Sequence, residues 1–125
     1  MVKEPRVSIV TVALNAAETI GATLDCVRLQ THRRTRQIVI DGGSADGTVD
    51  VIGRHAASDA IVVSEPDGGL YDAMNKGIGL ADGDFVLFLN AGDVLLHRDT
   101  VERALNAASE RPADAYCGGV VWVNA

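Results

Sequence analysis

Positive charge is scarce in this chain of 125 residues. Lysine and arginine together number 11 against 17 aspartates and glutamates, which gives a net charge of -6 at pH 7. Because nucleic-acid binding depends mainly on contacts of lysine and arginine with phosphates, this composition predicts no nucleic-acid partner. A phosphorylated ligand would need a metal ion or main-chain amides to supply positive potential.

Long apolar runs, cysteine clusters and targeting signals are also missing. No run approaches the roughly 20 apolar residues that a membrane span requires. The two cysteines, Cys26 and Cys117, lie far apart without metal-type spacing, so we expect buried, reduced thiols and no disulfide scaffold. Lys3 and Arg6 precede the apolar residues 7–14, but no small-residue cleavage site follows, which favours a first strand over a signal peptide. We therefore expect a cytoplasmic protein, with peripheral attachment to the inner face of the membrane left open.

The chain alternates short, β-branched apolar runs with segments of helical periodicity. The predicted strands are Val7–Val12, Gln37–Ile40, Ala60–Val63, Phe85–Leu89 and Tyr116–Val123. A helix is predicted after each of the first four strands, and Asn15 with Glu18 is predicted to form the capping box of the first helix. This alternation predicts a single α/β domain over residues 1–125, with a mostly parallel sheet, flanking helices, and Tyr116 and Trp122 in the core.

Polar residues follow the first four predicted strands. They are Asn15, Asp41, Asp46, Glu65, Asp67, Asn90 and Asp93. Right-handed crossovers bring the carboxyl ends of parallel strands to one edge of the sheet, where ligands bind in open α/β folds. We interpret Asp46 as a turn or helix-capping residue. Asp41, Asp67 and Asp93 are instead predicted to be functional, because Mg²⁺ or Mn²⁺ can link such carboxylates to a ligand's phosphates.

Several phosphate-binding folds are excluded or disfavoured. No Gly-x-Gly-x-x-Gly follows the first strand, and no Gly-x-x-x-x-Gly-Lys-Ser/Thr occurs, so the dinucleotide-binding and P-loop classes do not fit. A receiver domain is disfavoured because residues 11–14 include no acid and no lysine follows the last strand. Tyr71, in the first turn of the third helix, is either a core residue or a wall for a base or sugar.

Four segments, in this order and spacing, resemble the inverting family 2 glycosyltransferases, which have the GT-A fold. The segments are Val7–Val12 with Asn15, Ile38–Thr48, Ser64–Gly77 and Phe88–Asp93. The resemblance runs from Val7 to about Val123 and is greatest to the branch that builds bacterial exopolysaccharides and cell-envelope glycans or glycolipids. It implies a Rossmann-like GT-A half-domain and the transfer of a sugar from a nucleotide-diphosphate sugar to a glycan or lipid-linked acceptor.

The resemblance also implies roles for single residues. The donor-binding residues that it implies are Thr11, Asn15, Asp41, Asp67, Asp72, Asn75 and Asn90. Thr11, Asn15 and Asp41 would lie around the base and ribose. Asp72 and Asn75 would face the ligand near the ribose and diphosphate.

Two positions depart from the family pattern. Gly42 stands where many members have a second consecutive aspartate, which leaves the identity of the base open. The segment Asn90–Asp93 falls on the family's acidic metal motif but keeps a single carboxylate, so Mg²⁺ or Mn²⁺ would be bound through Asp93. Whether Glu65 or Asp67 replaces the missing carboxylates as a metal ligand stays open.

Family members generally continue into a second half that binds the acceptor and supplies the general base. The chain is expected to lack this half, and no residue can be nominated as the base. A donor-binding module, or a truncated transferase inactive alone, is therefore the alternative, and a non-catalytic interaction domain is a third hypothesis. A homodimer or a partner subunit is also open, with the apolar fifth strand as its contact.

Overall fold

The computed structural model describes residues 4–122, in which strands and helices alternate along the chain. The strands are β1 (Val7–Ala13), β2 (Thr35–Asp41), β3 (Ile61–Ser64) and β4 (Phe85–Phe88). The helices are α1 (Ile20–Arg28), α2 (Thr48–His55), α3 (Leu70–Leu80) and α4 (Thr100–Glu110). The α/β prediction is confirmed, and each of the first four predicted strands overlaps an observed one. Among the described residues, no helix has both the length and the apolar character that crossing a membrane would take.

The strands form one parallel sheet in the order β3-β2-β1-β4. Val7 of β1 lies opposite Thr35 of β2 and Phe85 of β4, so the strands begin at one edge and end at the other. The chain extends the sheet from β1 through β2 to β3, and then crosses back to place β4 on the other side of β1. In such sheets ligands bind beyond the carboxyl ends of the strands where the order reverses, here between β1 and β4.

Helices cover both faces of the sheet. On one face a buried cluster joins α1 and α2 to the strands through Ala13, Ile20, Leu24, Val39 and Ile52. On the other face α3 joins the cluster of Val10, Ile38, Ile40 and Ala73. A third cluster connects α4 to β1 through Val7, Ile9, Val27, Leu89 and Val101. Because both faces of β1 and β2 are covered, most of β1 and residues 38–40 of β2 are apolar without strict polar alternation.

The prediction of a capping box at the start of α1 is wrong. The helix begins at Ile20, with Thr19 in the N-cap position. Asn15 has a φ of 48°, a left-handed conformation that asparagine tolerates better than most residues. Its side-chain oxygen accepts a hydrogen bond from the Ala45 N–H at 2.9 Å, so the side chain connects two loops rather than capping a helix.

The prediction of a fifth strand is also wrong for the part that the structure describes, which ends at Trp122; Val123 lies outside the described residues. The segment from Tyr116 to Trp122 forms neither strand nor helix, and Trp122 is 90% exposed. The core assignment of both aromatics is therefore incorrect. The cysteines are free, as expected, but Cys26 is half-buried and Cys117 is exposed. A strand-like sequence becomes a strand only where it pairs and packs, and among the described residues this segment is exposed and pairs with no strand.

Candidate functional site

The loops at the carboxyl edge of the sheet are joined by main-chain hydrogen bonds. The Gly42 N–H donates to the Ala13 carbonyl at 2.9 Å, and the Glu65 N–H donates to the Asp41 carbonyl at 3.0 Å. The Ala91 N–H donates to the Val12 carbonyl at 3.0 Å. The four loops after β1, β2, β3 and β4 are therefore held together as one surface.

Asp41 organises the loop after β2. Its buried carboxylate accepts hydrogen bonds from the Gly43 and Ser44 N–H groups at 3.2 and 3.0 Å, and from the Ser64 hydroxyl at 2.8 Å. The Ser44 hydroxyl donates to it as well. Burial raises the pKa of Asp41, but the hydrogen bonds from Ser44, Ser64 and Gly43 lower that pKa more, so the net value lies below the ordinary one. The side chain is ionised and satisfied within the protein, and its contact with a base or ribose stays a prediction.

Asp46 is a turn residue just before α2, which fits the interpretation of its sequence position; the N-cap residue itself is Gly47. Its carboxylate accepts hydrogen bonds from the Thr48 N–H at 3.0 Å and from the Thr48 hydroxyl, at the start of α2. The hydrogen bond from the Thr48 hydroxyl is the main cause that lowers the pKa of Asp46. Thr48 Oγ1 also accepts the Ala16 N–H at 2.8 Å, which fixes the loop after β1 against α2.

The carboxylate of Asp67 lies beside Gly42. A Cβ atom at position 42 would be only 3.0 Å from Asp67 Oδ2, so a side chain there would require the carboxylate to shift by a few tenths of an ångström. Asp67 Oδ1 accepts the Gly69 N–H at 2.9 Å, which fixes the carboxylate in this position. The position of the Asp67 carboxylate in this chain therefore depends on the absence of a side chain at position 42.

Lys76 is a cation of this edge to which the sequence analysis gave no role. Its Nζ lies 3.0 Å from a Glu65 oxygen and 3.9 Å from an Asp72 oxygen. The hydrogen bond with Glu65 raises the pKa of Lys76. Asp72 also accepts the Gly68 N–H at 2.8 Å. The spacing of four residues between Asp72 and Lys76 on one helix is the signal that could have identified this pair.

The turn after β4 carries the predicted metal-binding residue. Asp93 is exposed, and its N–H donates to the Asn90 carbonyl at 3.0 Å. The side-chain oxygen Oδ1 of Asn90 is buried and has no hydrogen-bond partner among the described residues. Gly92, with a φ of 100°, allows this tight turn and donates its N–H to Thr23 Oγ1 at 3.0 Å.

A divalent cation fits this turn only as an ion shared with a ligand. Within residues 4–122, no three or more histidine, cysteine, aspartate or glutamate side chains are grouped so as to hold a metal ion, so Asp41, Asp67 and Asp93 do not form a protein metal cluster. Mg²⁺ is commonly bound by one or two protein carboxylates together with the ligand's phosphates. Asp93 and the unsatisfied oxygen of Asn90 have the donor chemistry for such an arrangement.

The remaining predicted residues occupy different surroundings. Thr11 is buried in β1, opposite Val39 of β2. Asn75 is exposed on α3. Tyr71 is 77% exposed at the start of α3, which excludes the core position, while its contact with a base or sugar stays a prediction. The structure thus brings the predicted residues of the strand-end loops to one edge of the sheet. Thr11 and Asp41 are buried within the protein beneath that edge.

Comparison with known proteins gives one family. The sequence model of the family described as glycosyl transferase family 2 matches residues 8–125. An uncharacterized glycosyltransferase of Mycobacterium tuberculosis is 42% identical over 110 residues, which are 87% of this chain and 42% of that protein. A glycosyltransferase of PGL/p-HBAD biosynthesis from Mycobacterium bovis is 37% identical over 121 residues, covering 94% of this chain and 47% of that protein. The chain therefore spans less than half the length of these relatives.

A solved structure agrees with the sequence comparison. The mannosyltransferase PcManGT from Pyrobaculum calidifontis, in complex with GDP-Man and Mn²⁺, superposes with a TM-score of 0.79 at 27% sequence identity. The match covers 87% of this chain and 34% of that protein. The predicted GT-A type of fold is confirmed by this similarity.

Proposed function

The chain belongs to glycosyl transferase family 2, and from this we propose that it binds a nucleotide-diphosphate sugar as the donor-binding part of a glycosyltransferase. The proposed acceptor is a glycan or a lipid-linked intermediate of cell-envelope or exopolysaccharide synthesis. The name of the Mycobacterium bovis relative, which places it in PGL/p-HBAD biosynthesis, supports a cell-envelope product. The observation that carries the proposal is the joining of four strand-end loops at the edge where the strand order reverses.

The nucleoside is proposed to lie on the loops after β1, β2 and β3. Asn15 and the pair formed by Gly42 and Asp67 present polar groups there; the Ala45 N–H holds the Asn15 side chain and the Gly69 N–H holds that of Asp67. Tyr71, exposed at the start of α3, offers a flat apolar surface for a ring of the ligand. These residues bind and orient the donor, while Asp41 keeps their loop in place.

The diphosphate is proposed to lie between the start of α3 and the turn after β4. Main-chain amides at a helix N-terminus attract anions, and α3 begins at Leu70 on this edge. Asn90 and Asp93 would hold Mg²⁺ or Mn²⁺, which when bound neutralises the charge of the diphosphate as a leaving group. The chain has a net charge of -6, so a phosphorylated ligand requires positive potential from another source. The amides of α3 and the metal ion would supply it.

Inverting transfer also requires a base that deprotonates the acceptor hydroxyl as it attacks the anomeric carbon. We assign this base to none of residues 4–122 and propose that it comes from a further segment or a partner subunit, which the greater length of the relatives supports. A donor-binding module without transfer activity alone is the second candidate, since the donor loops are formed and no base is assigned among these residues. Product formation with donor and acceptor together would distinguish the two candidates.

Calorimetric titration with UDP, GDP, CDP and dTDP, each with and without Mn²⁺, tests the proposal. We expect one nucleotide to bind, with an affinity that Mn²⁺ increases. Asp93→Asn should weaken the Mn²⁺-dependent binding about tenfold or more, because it removes the carboxylate ligand. Asp114→Asn, an exposed carboxylate distant in sequence from the four loops, is the matched control and should bind as the wild type does.

Absence of binding by any of the four nucleotides would overturn the donor site. Equal Mn²⁺ dependence in the wild type and Asp93→Asn would overturn the metal assignment while leaving the nucleoside site in place.

A further inference from the structure

A cluster of arginines lies at the amino-terminal edge of the sheet, opposite the donor loops. Arg6 directly precedes β1, while Arg33, Arg34 and Arg36 lie in and beside the start of β2. These four arginines, with Thr35 and Asp59, line a cavity of about 400 Å³. We call this the arginine cavity; its volume falls within the range of roughly 300–1,000 Å³ typical of small-molecule sites.

The arginine cavity has an excess of positive charge, whereas the chain as a whole is acidic. Its lining holds four guanidinium groups and the single carboxylate of Asp59. Arg6 pairs with Asp82 at 2.9 Å, but Arg33, Arg34 and Arg36 form no ion pair among the described residues. Folding has therefore placed three arginines without an ion pair at this edge, against the single carboxylate of Asp59 in the lining.

Two of these guanidinium groups carry unsatisfied donors. The Nε atoms of Arg34 and Arg36 are buried and have no hydrogen-bond partner among residues 4–122. A buried donor without an acceptor is destabilising, and such groups are uncommon in folded proteins. Arg6 has contacts that stabilise the fold: its guanidinium binds Asp82, and its main-chain N–H donates to Asp84 at 2.8 Å. Within the described part of the chain, the side chains of Arg34 and Arg36 have no such contacts to explain their burial.

We propose that the arginine cavity binds a phosphate group, supplied either by the headgroup of an anionic phospholipid or by a free phosphorylated ligand. The planar, forked guanidinium group matches the oxygens of phosphate in geometry and charge. The hydroxyl of Thr35 offers a further donor on the same lining. Because the cavity lies at the edge opposite Asn90 and Asp93, a phosphate bound there leaves the proposed donor site free.

Two binding measurements on the full chain distinguish the sources of the phosphate. The first is co-sedimentation with vesicles of phosphatidylglycerol and phosphatidylcholine in equal parts, compared with pure phosphatidylcholine. The second is calorimetric titration with inorganic phosphate in a chloride buffer. Binding to the anionic vesicles alone assigns the site to a lipid headgroup, and binding of inorganic phosphate assigns it to a free ligand; either result supports the proposal.

The double variant Arg34→Gln/Arg36→Gln should weaken whichever binding is observed at least about tenfold, since each arginine contributes separately to phosphate attraction. Arg103→Gln/Arg111→Gln removes the same charge from exposed positions that do not line the cavity, and it should bind as the wild type does. Thermal unfolding of both double variants checks that the fold is retained. Asp93→Asn should also bind as the wild type does, which separates this test from the test of the donor site.

Failure of the wild type to bind in both measurements would overturn the proposal. An equal loss in the cavity variant and in the control variant would also overturn it, because net charge alone would then explain the binding.

Discussion

Asp41 illustrates how a single residue of the site acts through its neighbours. Its carboxylate accepts hydrogen bonds from Ser44, Gly43 and Ser64, on the loop after β2 and at the end of β3. A buried carboxylate is tolerated only where such donors replace water. The loop geometry at the candidate site consequently depends on a side chain that is itself inaccessible to solvent.

Replacement of Asp41 by asparagine should lower the free energy of unfolding by about 2 kcal/mol at neutral pH, because hydrogen bonds to a charged acceptor are lost. The pKa of Asp41 is lower in the folded protein than in the unfolded chain. Its contribution is therefore present above the unfolded pKa of about 3.9 and lost as the pH falls through the lower folded pKa. Urea unfolding at several pH values should show a weaker loss of stability on acidification for Asp41→Asn than for the wild type.

The exposed carboxylate of Asp114 provides the control for this measurement. Asp114→Asn should unfold with the same acid dependence as the wild type. A variant at position 41 with an unchanged pH profile would contradict the role given to its charge.

Gly42 and Asp67 form a second coupled pair at the residue scale. The variant Gly42→Asp should be less stable than the wild type by about 2 kcal/mol, because its Cβ would crowd the Asp67 carboxylate and add a like charge beside it. Gly42 is not among the glycines with positive φ, so backbone strain does not contribute. In the double variant Gly42→Asp/Asp67→Gly, most of the stability should return.

A double-mutant cycle from denaturant unfolding measures this coupling. If the free-energy changes of Gly42→Asp and Asp67→Gly add up to that of the double variant, positions 42 and 67 are independent and their coupling is excluded.

At the scale of elements, α3 lies close to the sheet because glycine occurs at one position of its buried face. A Cβ at Gly77 would lie 2.3 Å from Cγ1 of Val10, far inside van der Waals contact. Gly79, on the same helix, has no atom within 4 Å of the equivalent Cβ position. The two glycines thus have the same helix propensity and different surroundings.

These glycines give a matched pair of substitutions. Gly77→Ala should lower the free energy of unfolding by about 2 kcal/mol, because α3 or Val10 must move. Gly79→Ala should raise it by about 1 kcal/mol, because alanine has the greater helix propensity and meets no obstacle. Chemical denaturation of both variants checks the signs, and changes of the same sign and size would contradict the close approach of α3 to β1.

At the scale of the whole molecule, β4 is one of the two edge strands of the described sheet, and its apolar side chains are partly exposed. Phe85, Val86 and Phe88 are 37, 39 and 37% exposed. An edge strand with exposed apolar residues is able to pair with another chain. A contact through the predicted fifth strand was left open by the sequence; in the described residues the edge strands are β3 and β4, and β4 carries the larger set of exposed apolar side chains.

We expect the wild type to self-associate through β4, with a mass in light scattering that increases with protein concentration. Val86→Lys should reduce this association, because a charge on an edge strand opposes pairing with a second copy. Val120→Lys makes the same substitution at a position that is 75% exposed and outside the sheet, and it should leave the association unchanged. A wild type that stays monomeric, or equal effects of the two variants, would exclude β4 as the contact.

Much of the fold follows from local sequence. Val7–Ala13 and residues 38–40 of β2 are mainly apolar and β-branched, since both faces of these strands are buried, and this pattern requires no knowledge of the partners. The four loop segments that carry Asn15, Asp41, Asp67 and Asn90 were also identifiable, because parallel strands all end at one edge. The sequence by itself therefore determined the α/β class, the edge at which the polar loops lie, and the family.

Tertiary contacts decided the rest. Tyr116–Trp122 has the composition of a strand but is exposed, because strand formation requires a paired neighbour that no local pattern encodes. Asn15 connects two loops instead of capping α1, because Ala45 lies within reach only after β1 and β2 have paired. Arg6 and Arg36 are far apart in sequence, and they line one cavity because β1 and β2 begin at the same edge. Each of these outcomes depends on distances between segments that the chain sets only when it folds.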